Sequence, residues 1–380
     1  MNRLVVCVTV CLAWAVPVSG ETITKMTYDQ AKAKLPTRTL PAFWIGDVKG
    51  LADRFKTLKR GQVRRIATTP GGRPMHLIAY GKREPVAHHA NFNSAIGARE
   101  PSAYMDKASR SKPVVYFVGP VHGHEVEGLT GLVSLIHVME TGRDLRGRDQ
   151  STLRALADRC RLLIVPDGNP DGIARFEPRA GQGLTREEGS FWSMGTWHDD
   201  TIVYWPKSKA KHPRTRQNSG YVGAYFNDAG INPMHDEFFD PMGPEAPAIL
   251  RIAKDEGPDL AVSLHSHSAA PSLLRPAYVP LEIQEQIRSL AQQYYALLEQ
   301  RGLPHAKPFA PGPERGKHPA PFNLTSALYH ISGAAAFTFE CPHGHDRPKA
   351  CKVTFEQILD IQLALYEAML RFALEQKTKP

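Results

Sequence analysis

The sequence predicts an α/β protein, with a mixed, largely parallel central sheet flanked by helices. Three observations carry that expectation. Short runs rich in β-branched and aromatic residues, without polar alternation, read as strands buried on both faces: PVVYFVG at 113–119, Arg161–Val165, Asp259–Leu264 and Ala335–Phe339. Segments of helical spacing separate these runs, and strand–helix alternation is the mark of a layered, parallel sheet. The chain has 380 residues, 42% of them hydrophobic and 22% charged, enough to build a core and to exclude disordered and fibrous classes. Its 30 glycines and 31 prolines stay short of low-complexity composition and point instead to long structured loops.

The first element is a leader. Met1–Gly20 has Arg3 in a short positive start, an apolar run from Leu4 to Val18 broken by Pro17, and small residues before Glu21. This is secretory-signal composition, and about fifteen apolar residues fall short of the ~18–20 that span a bilayer. The mature chain is expected to begin at Glu21 as a secreted or periplasmic protein with no stable membrane anchor.

A polar, proline-containing N-terminal extension follows over 21–50, and 51–380 reads as one domain, since neither a linker nor an internal repeat divides it. Within it a helix is expected at Leu51–Leu58. Strands Val63–Thr68 and Pro74–Tyr80, joined by the turn Pro-Gly-Gly-Arg at 70–73, form a hairpin. Glu125–Glu140 carries apolar residues at Leu129, Leu132, Val133, Ile136 and Met139, which is helical spacing. Further helices are expected near Thr152–Asp158, 244–256, 281–301 and Thr354–Glu375. The alternation is interrupted by an irregular region over 175–240.

Five cysteines are present, and Cys7 and Cys11 would leave with the leader. In an oxidising compartment Cys341 and Cys351, ten apart around a His-Gly-His turn, are the better candidates for a disulfide, with reduced, buried thiols as the alternative. The formal net charge of +9 is spread along the chain, so it marks solubility before it marks an anionic cell-wall polymer or membrane partner. No nucleic-acid partner is expected.

In such sheets ligands bind beyond the carboxyl ends of the strands. Here PVVYFVG runs into His122-Gly123-His124-Glu125, the 259–264 strand into His265-Ser266-His267, and the 335–339 strand into Glu340. A spacing of three between His122 and Glu125, at a helix start, lets an imidazole and a carboxylate reach one ion, and His265 supplies a third ligand. Three protein ligands with a fourth position open is the coordination of a catalytic zinc. A single histidine at a strand end is ordinarily a surface hydrogen-bonding residue. A carboxylate ending a buried strand, as at Glu340, is costly unless paired or functional, and the four together are not coincidence. The His-x-His pairs also occur in barrel hydrolases, but the 175–240 region leaves too few strand–helix units. A His-x-His-x-Asp-His string, as in metallo-β-lactamases, is absent; His343-Gly344-His345-Asp346 lacks the last histidine.

These motifs resemble those of the M14 zinc carboxypeptidases. HGHEVEG at 122–128 is similar to the family's His-x-x-Glu motif, NPDG at 169–172 to its turn, LHSHS at 264–268 to its third ligand, and FTFE at 337–340 to the strand ending in its glutamate. GGRPMHLIAYG at 71–81 is similar to its opening hairpin. The resemblance runs from about Leu51 to the C-terminal helix. It implies that 51–380 is the catalytic domain, that His122, Glu125 and His265 bind one zinc, and that Glu340 is the base. It also implies an oxyanion-stabilising arginine, best matched by Arg179 and then by Arg175.

The chain departs from the family where the substrate would bind. The family's Asn-Arg pair, which clamps a terminal carboxylate, is missing from YFNDAGINPMHDEFF at 225–239. His235, Arg275, Arg175 and Arg179 are the candidate replacements. The tyrosine brought over the substrate is also not evident. Thr325, fifteen residues before Glu340, falls where the family sets side-chain specificity, and its small neutral side chain argues against a charged pocket. An insertion over 180–222 holds Trp192, Trp197 and Trp205 and then the basic run KSKAKHPRTRQ at 207–217. It reads as an elaborated loop packed on the core with a solvated basic tip, or alternatively as an aromatic lid. The expected activity is a zinc metallocarboxypeptidase acting on peptides. An M14-like amidase or deacylase, and a peptide-binding pseudo-enzyme, are the alternatives; an intact Glu340 argues against the last.

Overall fold

The computed structural model describes residues 24–316 and 319–378, so the leader expected at 1–20 lies outside the described residues. Among the described residues seven strands make one sheet: β1 (Gln62–Thr68), β2 (Pro74–Tyr80), β3 (Val114–Val118), β4 (Arg161–Val165), β5 (Leu260–His267), β6 (Ser272–Leu273) and β7 (Ala335–Pro342). Their order is β1-β2-β4-β3-β5-β7-β6, and the short helices α1 (Tyr28–Ala33), α2 (Val48–Phe55), α3 (Phe92–Gly97) and α5 (Ser151–Asp158) lie before or between them in the chain. The central strands β4, β3, β5 and β7 pair in parallel. The β1–β2 hairpin joins β4 antiparallel, and β6 closes the other edge antiparallel to β7. This is the expected mixed sheet with a parallel centre.

Residues of β3 and β4 are buried along their whole length, which explains why their sequences lack alternation. One face, carrying Val115, Phe117, Leu162, Ile164, Val262, Phe337 and Phe339, packs into the larger core with α4 (Val126–Thr141), α9 (Leu281–Gln300) and α11 (Phe355–Thr378). The other face, carrying Val114, Tyr116, Val118, Leu163 and Ala336, packs against α8 (Glu245–Glu256) and α10 (Leu324–Ser332). From β3 the chain moves to β4 on one side, and it later returns to β5 on the other. The sheet therefore changes direction between β3 and β5, the place where open α/β sheets hold ligands.

The structure departs from the sequence expectation in four places. Helices α1, α3 and α10 and the two-residue β6 were not foreseen; α10 is short, and Asn323 caps it by accepting from the Ser326 amide. The region expected to be irregular contains α7 (Arg186–Met194), and just ahead of it the NPDG segment opens a further short helix, α6 (Pro170–Arg175). Thr185 and Glu188 form a capping box at the start of α7, and Phe191 and Trp192 are buried in the core. The basic run after Trp205 is only in part a solvated tip: Lys207, Lys211 and Arg216 are exposed, but Arg214 is buried, donates to the Thr196 carbonyl and lies over the Trp197 ring at 4.2 Å. Finally, Cys160, Cys341 and Cys351 are all free thiols. Cys341 sits on the core face of β7 and is buried as a small apolar side chain, so the Cys341–Cys351 bridge is not formed.

Candidate metal centre and the cavity around it

The loop after β3 delivers the first two side chains. It is fixed from below by the NPDG segment, which is the start of α6. Asn169 accepts from the Gly172 amide at 2.9 Å and donates to the Val121 carbonyl at 3.1 Å. Gly123 donates to the Ala224 carbonyl at 2.7 Å. A Cβ on Gly123 would lie 2.1 Å from the Gly172 carbonyl carbon, so only glycine fits there. Asp171, fully buried, accepts from the Thr69 hydroxyl, the Gly71 amide and Arg73, tying the hairpin turn to the same loop. Glu125 is the N-cap residue of α4 but makes no side-chain capping bond, which leaves its carboxylate available.

That carboxylate meets two imidazoles. His122 Nδ1 is 3.0 Å from Glu125 Oε1, His265 Nδ1 is 2.9 Å from Oε2, and the two Nδ1 atoms are 3.1 Å apart. The far nitrogens are committed elsewhere: His122 Nε2 to Asn232 Oδ1 at 3.2 Å and His265 Nε2 to Ser263 Oγ at 3.0 Å. Donating those Nε2 protons leaves both Nδ1 lone pairs directed at one point. Burial, with each neighbouring histidine adding to it at His122, holds His122 well below its usual range; burial pulls His265 down to about 4. Burial likewise pushes Glu125 well above the usual carboxylate range.

Two neutral imidazole lone pairs and a carboxylate, all buried and converging, repel unless a cation lies between them. Glu125 Oε2 has no hydrogen-bond partner, and the ligand atoms of His122, Glu125 and His265 all lie within 4.8 Å of one another. The set fits a divalent ion, and two histidines with one glutamate is a zinc donor set with an open position.

Glu340 stands beside it. It is paired with His265 across the β5–β7 ladder. Burial pushes its carboxyl up to about 8, with Glu125 adding to the rise and His265 and Lys209 opposing it. A cavity of about 630 Å³ opens over these groups, lined among others by Tyr225, Trp205, Lys209, Arg275, Thr325 and Arg347. The Tyr225 ring stacks on His122 with centroids 3.6 Å apart.

The family model for Zinc carboxypeptidase matches residues 50–333. The chain belongs to that family. Among the zinc carboxypeptidases of known structure, the metallo-carboxypeptidase from Burkholderia cenocepacia shares 16% identity with a TM-score of 0.54, covering 87% of this chain and 69% of its own. The metallo-carboxypeptidase from Pseudomonas aeruginosa, solved with (2-guanidinoethylmercapto)succinic acid, shares 15% identity with a TM-score of 0.51, covering 87% and 70%. At these identities the likeness is one of fold. No curated protein matches the sequence. Membership makes this chain a metallocarboxypeptidase-type hydrolase with the α/β fold of its relatives.

The structure does not bring all of the sequence candidates to this zinc carboxypeptidase cavity. Arg179 has positive φ, its side chain is 59% exposed, and it pairs with Asp47 at 3.2 Å. Arg175 donates to the Val222, Gly223 and Phe226 carbonyls and pairs with Asp228. Neither lines the cavity, so the oxyanion role that family spacing suggested for them has no support in their positions. Arg275 does line it, but its guanidinium donates to the Gly312 and Pro313 carbonyls and meets Glu314 at 3.3 Å. His235 lines it too, yet burial and the adjacent Lys209 pull it down to about 3, so it is neutral and cannot serve as the cation expected of it. Thr325, on α10, lines the cavity and bonds Thr338 Oγ1 at 2.9 Å.

Four contributors were missed: Asn232, Ser263, Tyr225 and Lys209. Asn232-Pro233 had a local signal, an Asn-Pro start to a 3-10 turn at Pro233–His235. Ser263 lies two residues before His265 on one strand and therefore on the same face. Lys209 had no signal beyond its place in a basic run.

Proposed function

We propose that the chain is an exported zinc metallocarboxypeptidase in which His122, Glu125 and His265 hold one zinc and Glu340 is the general base. The observation that supports this most is the convergence of three buried lone-pair donors beside a fourth, ladder-paired carboxylate at the floor of a cavity of about 630 Å³. Zinc bound there supplies a Lewis acid that polarises a carbonyl and lowers the pKa of water from 15.7 toward ~7. The protein's part is positional. Asn232 and Ser263 fix the two imidazole rings with Nδ1 inward. Glu340 accepts a proton from the attacking water at its carboxylate and returns it to the leaving amine, a role worth about 10²–10⁴ in rate.

An amidase or deacylase on another acyl-amine is the second reading, favoured by one observation: Arg275, the arginine of the sequence candidates that reaches the cavity, is already bonded to loop carbonyls and Glu314. Incubating the zinc-loaded protein with a mixed peptide pool and weighing the products separates the two. Stepwise loss from the C-terminus supports the carboxypeptidase, loss of an acyl group supports the amidase, and an unchanged pool opposes both.

A further inference from the structure

The insertion over 180–222 turns one cation inward. Lys209 sits on a 3-10 turn, Lys207–Lys211, and its ammonium enters the cavity that holds the candidate centre. Nζ is 3.2 Å from His235 Nε2 and 5.2 Å from the Trp205 ring centroid. Because His235 is neutral, the ammonium donates to it and is oriented without being neutralised. No carboxylate among the described residues lies within ion-pair distance of Lys209; Glu125 and Glu340 act on it only through the field.

A partly buried ammonium with a neutral hydrogen-bond partner and an aromatic face is a preformed anion receptor. The surroundings narrow the anion. The proposed metal ligands and the base line the cavity on the sheet side, and Trp205, Leu274, Pro276 and Ala277 contribute apolar surface to its wall. A ligand spanning from that centre to Lys209 presents an acyl-amine bond at one end and a negative group at the other, across an apolar wall.

We infer that Lys209, held by His235, recognises the terminal carboxylate of the substrate in place of an arginine, so that specificity is carried by the insertion and not by the loops that follow the sheet strands. The inference rests on the carboxypeptidase reading above. Arg347 is the rival cation. It lines the same cavity and its buried Nε has no partner, but it acts on His124 and His345, away from Glu340.

The test compares a blocked dipeptide as the free acid and as its C-terminal amide, with zinc-loaded wild type, Lys209→Met, Lys209→Arg and Arg347→Met. A charge-assisted hydrogen bond is worth roughly 10- to 100-fold. Lys209→Met should lower the free-acid-to-amide ratio of kcat/KM by about that factor, chiefly through KM, and Lys209→Arg should restore part of it. Zinc content and cooperative unfolding check that the variants are folded, and Lys209→Gln serves if methionine disturbs the turn. Binding of the two dipeptides measured by calorimetry gives the same comparison without turnover, so an inactive wild type that still prefers the free acid through Lys209 sinks the peptidase reading alone. A ratio unchanged in Lys209→Met, or lost instead in Arg347→Met, overturns the assignment to Lys209.

Discussion

His265 and Glu340 are direct partners in the parallel ladder between β5 and β7. Register partners on adjacent strands share a face and stand about 4.8 Å apart. A proposed ligand and the proposed base are thereby set by backbone hydrogen bonds, with no loop between them.

Glu340→Gln keeps the shape of the side chain and removes the proton acceptor. Turnover should fall by about 10²–10⁴ while bound zinc, measured by atomic emission, stays near one per chain. Activity within a few-fold of wild type would remove Glu340 from the mechanism.

His122→Ala and His265→Ala each delete one of three converging donors. Both should purify with most of the zinc gone. Full zinc in both variants would show that the ion sits elsewhere.

Asn232 accepts from His122 Nε2 and from the Met234 amide. Its loss frees the imidazole to rotate, and such outer partners typically carry 10–100-fold in metal affinity. Asn232→Ala should therefore weaken zinc by about that factor in chelator competition, and Asn232→Asp, which keeps the acceptor, should weaken it less. Equal affinity in all three proteins would mean that the ring is held by packing on Tyr225.

In the metal-free protein the Glu340 carboxyl is raised to about 8, chiefly by burial. The folded state then keeps a proton that the unfolded chain releases near its ordinary value of 4.5. Its contribution is complete below that value and is lost as pH rises toward 8. Metal-free Glu340→Gln should gain in unfolding temperature over metal-free wild type as pH goes from 5 to 8. A difference that stays flat across that range, or shrinks, would contradict the burial of this carboxyl.

All three cysteines among the described residues are reduced. Thiol titration of the denatured mature protein, without reductant, should find three reactive groups, and a non-reducing peptide map should show Cys341 and Cys351 in separate peptides. A linked pair in that map would contradict the structure.

Local pattern made part of this molecule legible in its sequence. Strands buried on both faces announce themselves by unbroken apolar runs, and His122, Glu125, His265 and Glu340 stood out because each lies just beyond such a run. The arginines failed for a physical reason. Arg175 and Arg179 were placed by counting from NPDG, but Arg179 adopts a left-handed backbone that directs it toward Asp47, and Arg175 satisfies carbonyls of the 222–226 loop. Lys209 could not be told from its neighbours in KSKAKHPRTRQ, because which lysine turns inward depends on how the insertion is held by the buried Trp192 and Arg214. Helix α10 has only nine positions, too few for periodicity to separate it from a strand.

The contact between Gly123 and the backbone of Gly172 has a consequence for any attempt to move this centre. Neither glycine offers a ligand, yet a side chain on Gly123 would run into the carbonyl carbon of Gly172, and one on Gly172 would lie 2.3 Å from the Ala224 oxygen. Grafting HGHE alone onto another strand–helix junction should therefore give a peptide of the right composition that grips no ion. The smallest transferable unit is the loop that bears His122 and Glu125, the loop that leaves it room, and the strand that brings His265 to meet them.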